Sequence, residues 1–138
     1  MKAHMKTKNI EQTVIVEARP DDVYDAIIDP RLHAEFTQAQ ATNTMKVGGK
    51  FTAYDNYISG TNIELTKGKK IVQKWTSTDF PDGVYTTVTF AFKKHAKGTE
   101  LVFTQTGVPE ENASEIAQGW KDFYWKPLKA FFKMKKHG

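Results

Sequence analysis

The spacing of apolar residues changes twice along this chain, dividing it into three stretches. Ile10 to Glu17 alternates around Val14, Ile15 and Val16, which predicts a strand. Arg19-Pro20-Asp21-Asp22 follows. Pro20 suits the first position of a helix, and the two Asp side chains favour the positive end of its dipole. Val23, Ala26 and Ile27 give that helix a short apolar face. Asp29-Pro30 ends it and starts a second helix, with Asp29 as cap and Leu32 and Phe36 as its buried stripe.

From about Gln40 to Val108 the pattern is strand and turn throughout. Gly48-Gly49 precedes Phe51 to Tyr54, and Ser59-Gly60 precedes Thr61 to Thr66. Lys67-Gly68-Lys69 leads to Ile71 to Ser77, and Pro81-Asp82-Gly83 to Val84 through Phe92. The chain turns again near His95 to Gly98 and returns as Thr99 to Thr106. Val88, Phe90 and Phe92 share one face of their strand, as do Leu101, Phe103 and Gln105 of the next. Regular strands joined by short turns predict a meandering antiparallel sheet.

The last stretch takes a helical period. Asn112 with Glu115 three residues later has the form of a capping box. Ile116, Trp120, Phe123, Tyr124, Pro127, Leu128 and Phe131 fall within an arc of roughly 120–140° on a helical wheel. The expected helix runs from about Asn112 to Lys135, approaches the sheet closely at Gly119 and bends at Pro127. The fold class read from this order is α+β. A curved antiparallel sheet wraps around a long C-terminal helix, with two short helices after the first strand, in a helix-grip arrangement. Residues 1–8 read as a flexible N-terminal segment, and residues 9–138 as one domain.

Two aromatic residues depart from simple amphipathicity. Counted from Trp120, Trp125 and Phe132 fall at roughly +140° and +120°, outside the apolar arc, with Lys121 beside them at about +100°. Either a loop or the short helices cover this pair, or it forms an exposed ridge for a partner or a second copy. Lys129 and Lys133 on the adjoining face suit an acidic partner.

Composition narrows the functions. Nine Phe, five Tyr and three Trp in 138 residues predict an unusually aromatic core. The absence of Cys excludes disulfides, thiolate metal sites and cysteine nucleophiles, and fits a reducing cytoplasm. No apolar run approaches the ~20 residues that cross a bilayer, so membrane insertion is not expected. The net charge of +4 comes from scattered lysines, with only Arg19 and Arg31 as arginines, which reads against nucleic-acid recognition.

Catalytic signals are weak. His4, His33, His95 and His137 lack metal-ligand spacing and read as surface residues. No phosphate loop or nucleophile elbow occurs, and no cofactor is called for. Glu64 and Glu100 lie in strands, where either points to solvent or serves a cavity as general base. Gln105 shares a face with Leu101 and Phe103. It either turns inward, needing a ligand, water or backbone partner, or is turned outward by a bulge.

Several segments in order carry a family resemblance: Val47-Gly48-Gly49-Lys50-Phe51, Ile71-Val72-Gln73-Lys74-Trp75, Phe80-Pro81-Asp82-Gly83, Gly98-Thr99-Glu100-Leu101 and Gln118-Gly119-Trp120-Lys121-Asp122-Phe123-Tyr124. Over about residues 10–134 the chain resembles the C-terminal-domain family of the activator of heat-shock protein 90 ATPase, within the START-like (SRPBCC) superfamily. The resemblance implies a helix-grip fold and a cavity between sheet and helix. In the two-domain co-chaperone behind the family name, the main ATPase-stimulating activity is associated with the other, N-terminal domain.

The function expected is binding of a small hydrophobic or amphipathic ligand. A chaperone-associated interaction domain and an enzyme using the same cavity are the alternatives. Candidate cavity residues are Trp75, Val88, Phe90, Phe103, Gln105, Trp120 and Phe123, which otherwise fill a solid core. Candidate partner-surface residues are Trp125, Phe132 and Lys121.

Overall fold

A computed structural model describes residues 6–137. The expected N-terminal segment and His4 therefore lie largely outside it, although Thr7 and Lys8 already belong to the first strand. Among the described residues, seven strands form one antiparallel sheet: β1 (Thr7–Val16), β2 (Thr42–Asn43), β3 (Lys50–Ala53), β4 (Ile58–Thr66), β5 (Lys70–Ser77), β6 (Thr86–His95) and β7 (Gly98–Pro109). Their order is β1-β7-β6-β5-β4-β3-β2. β2 to β7 form a meander, and β1 closes against β7 with Val14 opposite Leu101.

The inward faces follow the period-2 pattern: Val88, Phe90 and Phe92 on β6 and Leu101, Phe103 and Gln105 on β7 are all buried. In the turn before β3, Gly48 takes a left-handed φ of +82° that a side chain would disfavour.

Helix α1 (Pro20–Ile28) carries Pro20 in its first turn, and α2 (Pro30–Thr37) is capped by Asp29, whose carboxylate accepts from the Arg31 backbone N–H at 2.9 Å. His33, expected at the surface, is only 5 % exposed. It precedes Phe36 by one helical turn, so the two share the face that α2 presses inward, while Leu32 is half-buried.

The C-terminal helix differs most from expectation. Helix α3 (Glu110–Trp120) starts directly off β7, two residues before Asn112, and no side chain caps it. Its first N–H, on Glu110, donates instead to the Lys6 carbonyl at 2.9 Å. The capping box is therefore not formed, because the strand leads straight into the helix and places Asn112 inside its first turn. Glu110 and Glu111 do occupy that turn, where the dipole favours them.

A π-helical turn (Lys121–Trp125) then joins α3 to α4 (Lys126–His137). The turn adds about one residue to the helix, rotating everything beyond it by roughly 100° against a straight helical wheel. This rotation explains an exchange of places. Phe123, expected inside, is 64 % exposed; Trp125, expected at the edge, is 4 % exposed; and Leu128 is fully buried.

Pro127 shows why the helix reorganises here. It has no N–H for the Phe123 carbonyl four residues back. That carbonyl instead accepts the Tyr54 hydroxyl. Upstream, the Lys121 N–H turns to the Gln118 carbonyl, and the Ala117 carbonyl accepts Nε2 of Gln12 at 2.9 Å. Oε1 of Gln12 in turn accepts the Trp125 indole N–H at 2.6 Å. One side chain of β1 thus braces both ends of the irregular turn.

Candidate functional site: a cavity between sheet and helices

Sheet and helix do not close completely. A cavity of about 540 Å³ lies between β3, β4 and β5, the ends of α1 and α2, and α3 with the π turn. This is within the range of small-molecule pockets, roughly 300–1,000 Å³. Its apolar wall includes Ile27 and Ile28 of α1, Phe51 and Ala53 of β3, Ile58 of β4, Trp75 of β5 and Phe90 of β6. The helical side presents Asn112, Glu115, Ile116, Gly119, Trp120, Phe123 and Tyr124.

The sequence-derived candidates divide into two groups. Trp75, Phe90, Trp120 and Phe123 line the cavity, with Phe123 at its exposed rim. Val88, Phe103 and Gln105 are fully buried and form the packed layer outside the cavity. The reason lies in Trp120, which packs on Phe103 with ring centroids 4.2 Å apart.

Gln105 does point inward, but its amide is already satisfied. Oε1 accepts the Trp120 indole N–H at 2.7 Å, and Nε2 donates to the Thr86 hydroxyl at 3.0 Å. Thr86 passes the chain on to the Trp75 carbonyl at 2.9 Å. This relay ties the helix to β7, β6 and β5 and fixes the two tryptophans, whose rings lie 5.6 Å apart.

The candidate partner surface is also revised. Trp125 is no exposed ridge: it stacks on Trp120 at 5.6 Å and meets Phe103 edge-on at 5.2 Å. Phe132 is half-buried against Phe131, and Lys121 is exposed. The π turn is the cause, since it swings the Trp125 edge inward and Phe123 outward.

Polar residues of the cavity come from positions that the sequence pattern does not mark as cavity-facing. His33 lines it, with Nε2 2.6 Å from the Tyr124 hydroxyl and Nδ1 buried without a partner. Burial holds the imidazole pKa down to about 4, and pushes the Tyr124 hydroxyl well up. His33 is therefore neutral at physiological pH.

Gln73 faces the cavity from β5 and donates to Oδ1 of the fully buried Asn62 at 3.1 Å. Asp79, Glu115 and Tyr57 are exposed cavity-lining residues, and the Tyr57 hydroxyl donates to Asp79. Glu64 is not among the lining residues but lies 3.7 Å from Lys70 on the exposed face, and Glu100 does not line the cavity either. The carboxylates that do line it are Asp79 and Glu115.

One sequence signal marks the helical wall. Asn112, Glu115, Ile116 and Gly119 recur at helical spacing along one edge of the apolar face, mixing polar and small residues where a filled core would be bulky. A Cβ on Gly119 would meet only the Phe123 ring, at 3.9 Å. Gly119 therefore marks open space rather than the expected close approach of helix and sheet.

Comparison with known proteins fits this architecture. The pattern of the family described as Activator of Hsp90 ATPase homolog 1-like protein matches residues 17–133. The chain belongs to this family.

An activator of 90 kDa heat shock protein ATPase homolog from Dictyostelium discoideum is 34% identical over 116 residues, covering 83% of this chain and 30% of the relative. Activator of 90 kDa heat shock protein ATPase homolog 1 from Homo sapiens is 33% identical over 113 residues, covering 82% of the chain and 33% of the relative. The chain thus spans about a third of the length of these curated relatives.

Among solved structures, an HSP90 activator from Plasmodium falciparum superposes with a TM-score of 0.80 at 25% identity, covering 94% of this chain and 97% of that one. A protein from Mesorhizobium loti reaches the same TM-score at 16% identity, covering 92% and 98% of the two chains, and shares the fold. The START-like helix-grip fold of the chain is thereby established. Among the described residues, no helix is long and apolar enough to cross a membrane.

Proposed function

We propose that this domain binds a small hydrophobic or amphipathic molecule in the cavity between sheet and helices. The observation that carries the reading is the cavity itself: about 540 Å³, walled by aromatic and aliphatic side chains and open at an exposed rim. A domain of this size gains packing energy by closing such a space, so a persistent one favours an occupant. The test is a thermal-shift and native mass-spectrometry screen of single-chain amphiphiles of graded length. Binding to the folded state raises the melting temperature. A flat response across the whole series would remove this reading.

A second reading rests on the relatives, which are named for activation of the 90 kDa heat shock protein ATPase. In it the domain is a cytoplasmic, chaperone-associated interaction module, with exposed Lys121 and the exposed cavity-lining Phe123 as candidate contacts. Measuring the ATPase rate of a 90 kDa heat shock protein with and without this domain tests it. An unchanged rate together with no co-sedimentation would exclude it.

A further inference from the structure

The charge pattern of the cavity is one-sided, and it selects among amphiphiles. Among the described residues that line the cavity there is no lysine or arginine, while Asp79 and Glu115 contribute carboxylates at exposed positions. Among the described residues, no lysine or arginine forms an ion pair with either carboxylate. Both act on one ring: the Tyr57 hydroxyl pKa is raised first by burial, then by its hydrogen bond to Asp79, with Glu115 adding to the push. Tyr57 and Phe123 supply exposed aromatic faces to the cavity lining. Carboxylates and aromatic faces together favour a positive, hydrogen-donating group.

We infer that the preferred ligand is an apolar molecule carrying a cationic amine, with its chain in the cavity and its ammonium at the rim formed by Asp79 and Glu115. This rests on the ligand-binding reading above. A fatty-acid carboxylate in the same pose would meet like charge with no cation in the wall to receive it. The net charge of the chain is +4, so its long-range field favours anions. A preference for cations must therefore arise locally.

The test compares decylammonium, decanol and decanoate, below their micelle concentrations, by titration calorimetry on the full chain and on the Asp79→Asn/Glu115→Gln double variant. Both substituted positions are exposed, so the fold is retained. Decylammonium is expected to bind about tenfold more tightly than decanoate, and the double variant to reduce that ratio to about twofold or less. Decanoate binding as tightly as decylammonium overturns the inference but leaves the cavity reading standing. A cationic preference that survives in the double variant also overturns it, because the selection then lies elsewhere. If none of the three probes binds, the cavity reading itself fails.

Discussion

The indole N–H of Trp120 donates to Oε1 of Gln105 at 2.7 Å, and this bond joins the long helix to strand β7 of the sheet. Both partners are buried, so neither has water to fall back on. Replacing Gln105 by Leu leaves the indole donor unpaired and is expected to cost about 1–3 kcal/mol. Trp120→Phe removes the donor and leaves Oε1 unpaired. Because each variant strands the other's partner, the double variant is expected to cost less than the sum, by about 1 kcal/mol. Urea denaturation of the four proteins in the cycle measures this, and simple additivity would show that the bond carries no coupling.

A second coupling links Tyr54 to Pro127 across the π turn. The Tyr54 hydroxyl serves the Phe123 carbonyl, for which Pro127 provides no N–H. Tyr54, Asp55 and Asn56 all take left-handed φ values (50°, 57° and 76°) in the turn that delivers this hydroxyl. Tyr54→Phe is expected to cost about 1 kcal/mol in the native chain. With Pro127→Ala a helical donor becomes available, and the same substitution should then cost less than about 0.5 kcal/mol. Equal costs in both backgrounds would mean that the hydroxyl does not stand in for the missing helical bond.

These two relationships mark how far the sequence is legible. Periods of two and of 3.6 residues suffice for the sheet, the two short helices and the buried Trp120, because each reports one face against the core. Pro127 signals an irregularity but not its form. A kink would have preserved the wheel, whereas the π turn rotates it and exchanges Phe123 with Trp125. His33 is hidden for a different reason: a polar residue on a buried face has no periodic signature, and its partner Tyr124 lies 91 residues away. The cavity rim is similarly non-local, assembled from Tyr57, Asp79 and Glu115 on separate elements. Only the Asn112–Glu115–Gly119 edge of α3 was open to a local reading.

Burial of His33 makes stability depend on pH. The folded pKa is about 4, below the ordinary value of about 6.5 in an unfolded chain. Between those values the unfolded state binds more protons, so stability rises with pH. The contribution is complete above about pH 6.5 and is lost as pH falls towards about 4, amounting to roughly 3 kcal/mol, with about 2 kcal/mol already gone near pH 5. Denaturant midpoints across this range should fall for the native chain and stay nearly level for His33→Gln. Parallel profiles for the two proteins would assign the dependence to other groups.

Gly119 offers the most direct control over the cavity. It sits within α3 where a Cβ would meet only the Phe123 ring, at an ordinary contact distance of 3.9 Å. Gly119→Ala is therefore expected to stabilise the fold by about 0.5–1 kcal/mol, through helix propensity alone, while leaving ligand binding nearly unchanged. A larger side chain at the same position extends into the space between helix and sheet. Gly119→Trp should keep the domain folded, since open volume is available, and weaken amphiphile binding by about tenfold or more. Thermal melts and calorimetry on both variants separate the two effects. A destabilising Ala substitution would show that the helix is more closely packed here than the geometry indicates. Undiminished binding to a folded Trp variant would place the ligand outside this cavity.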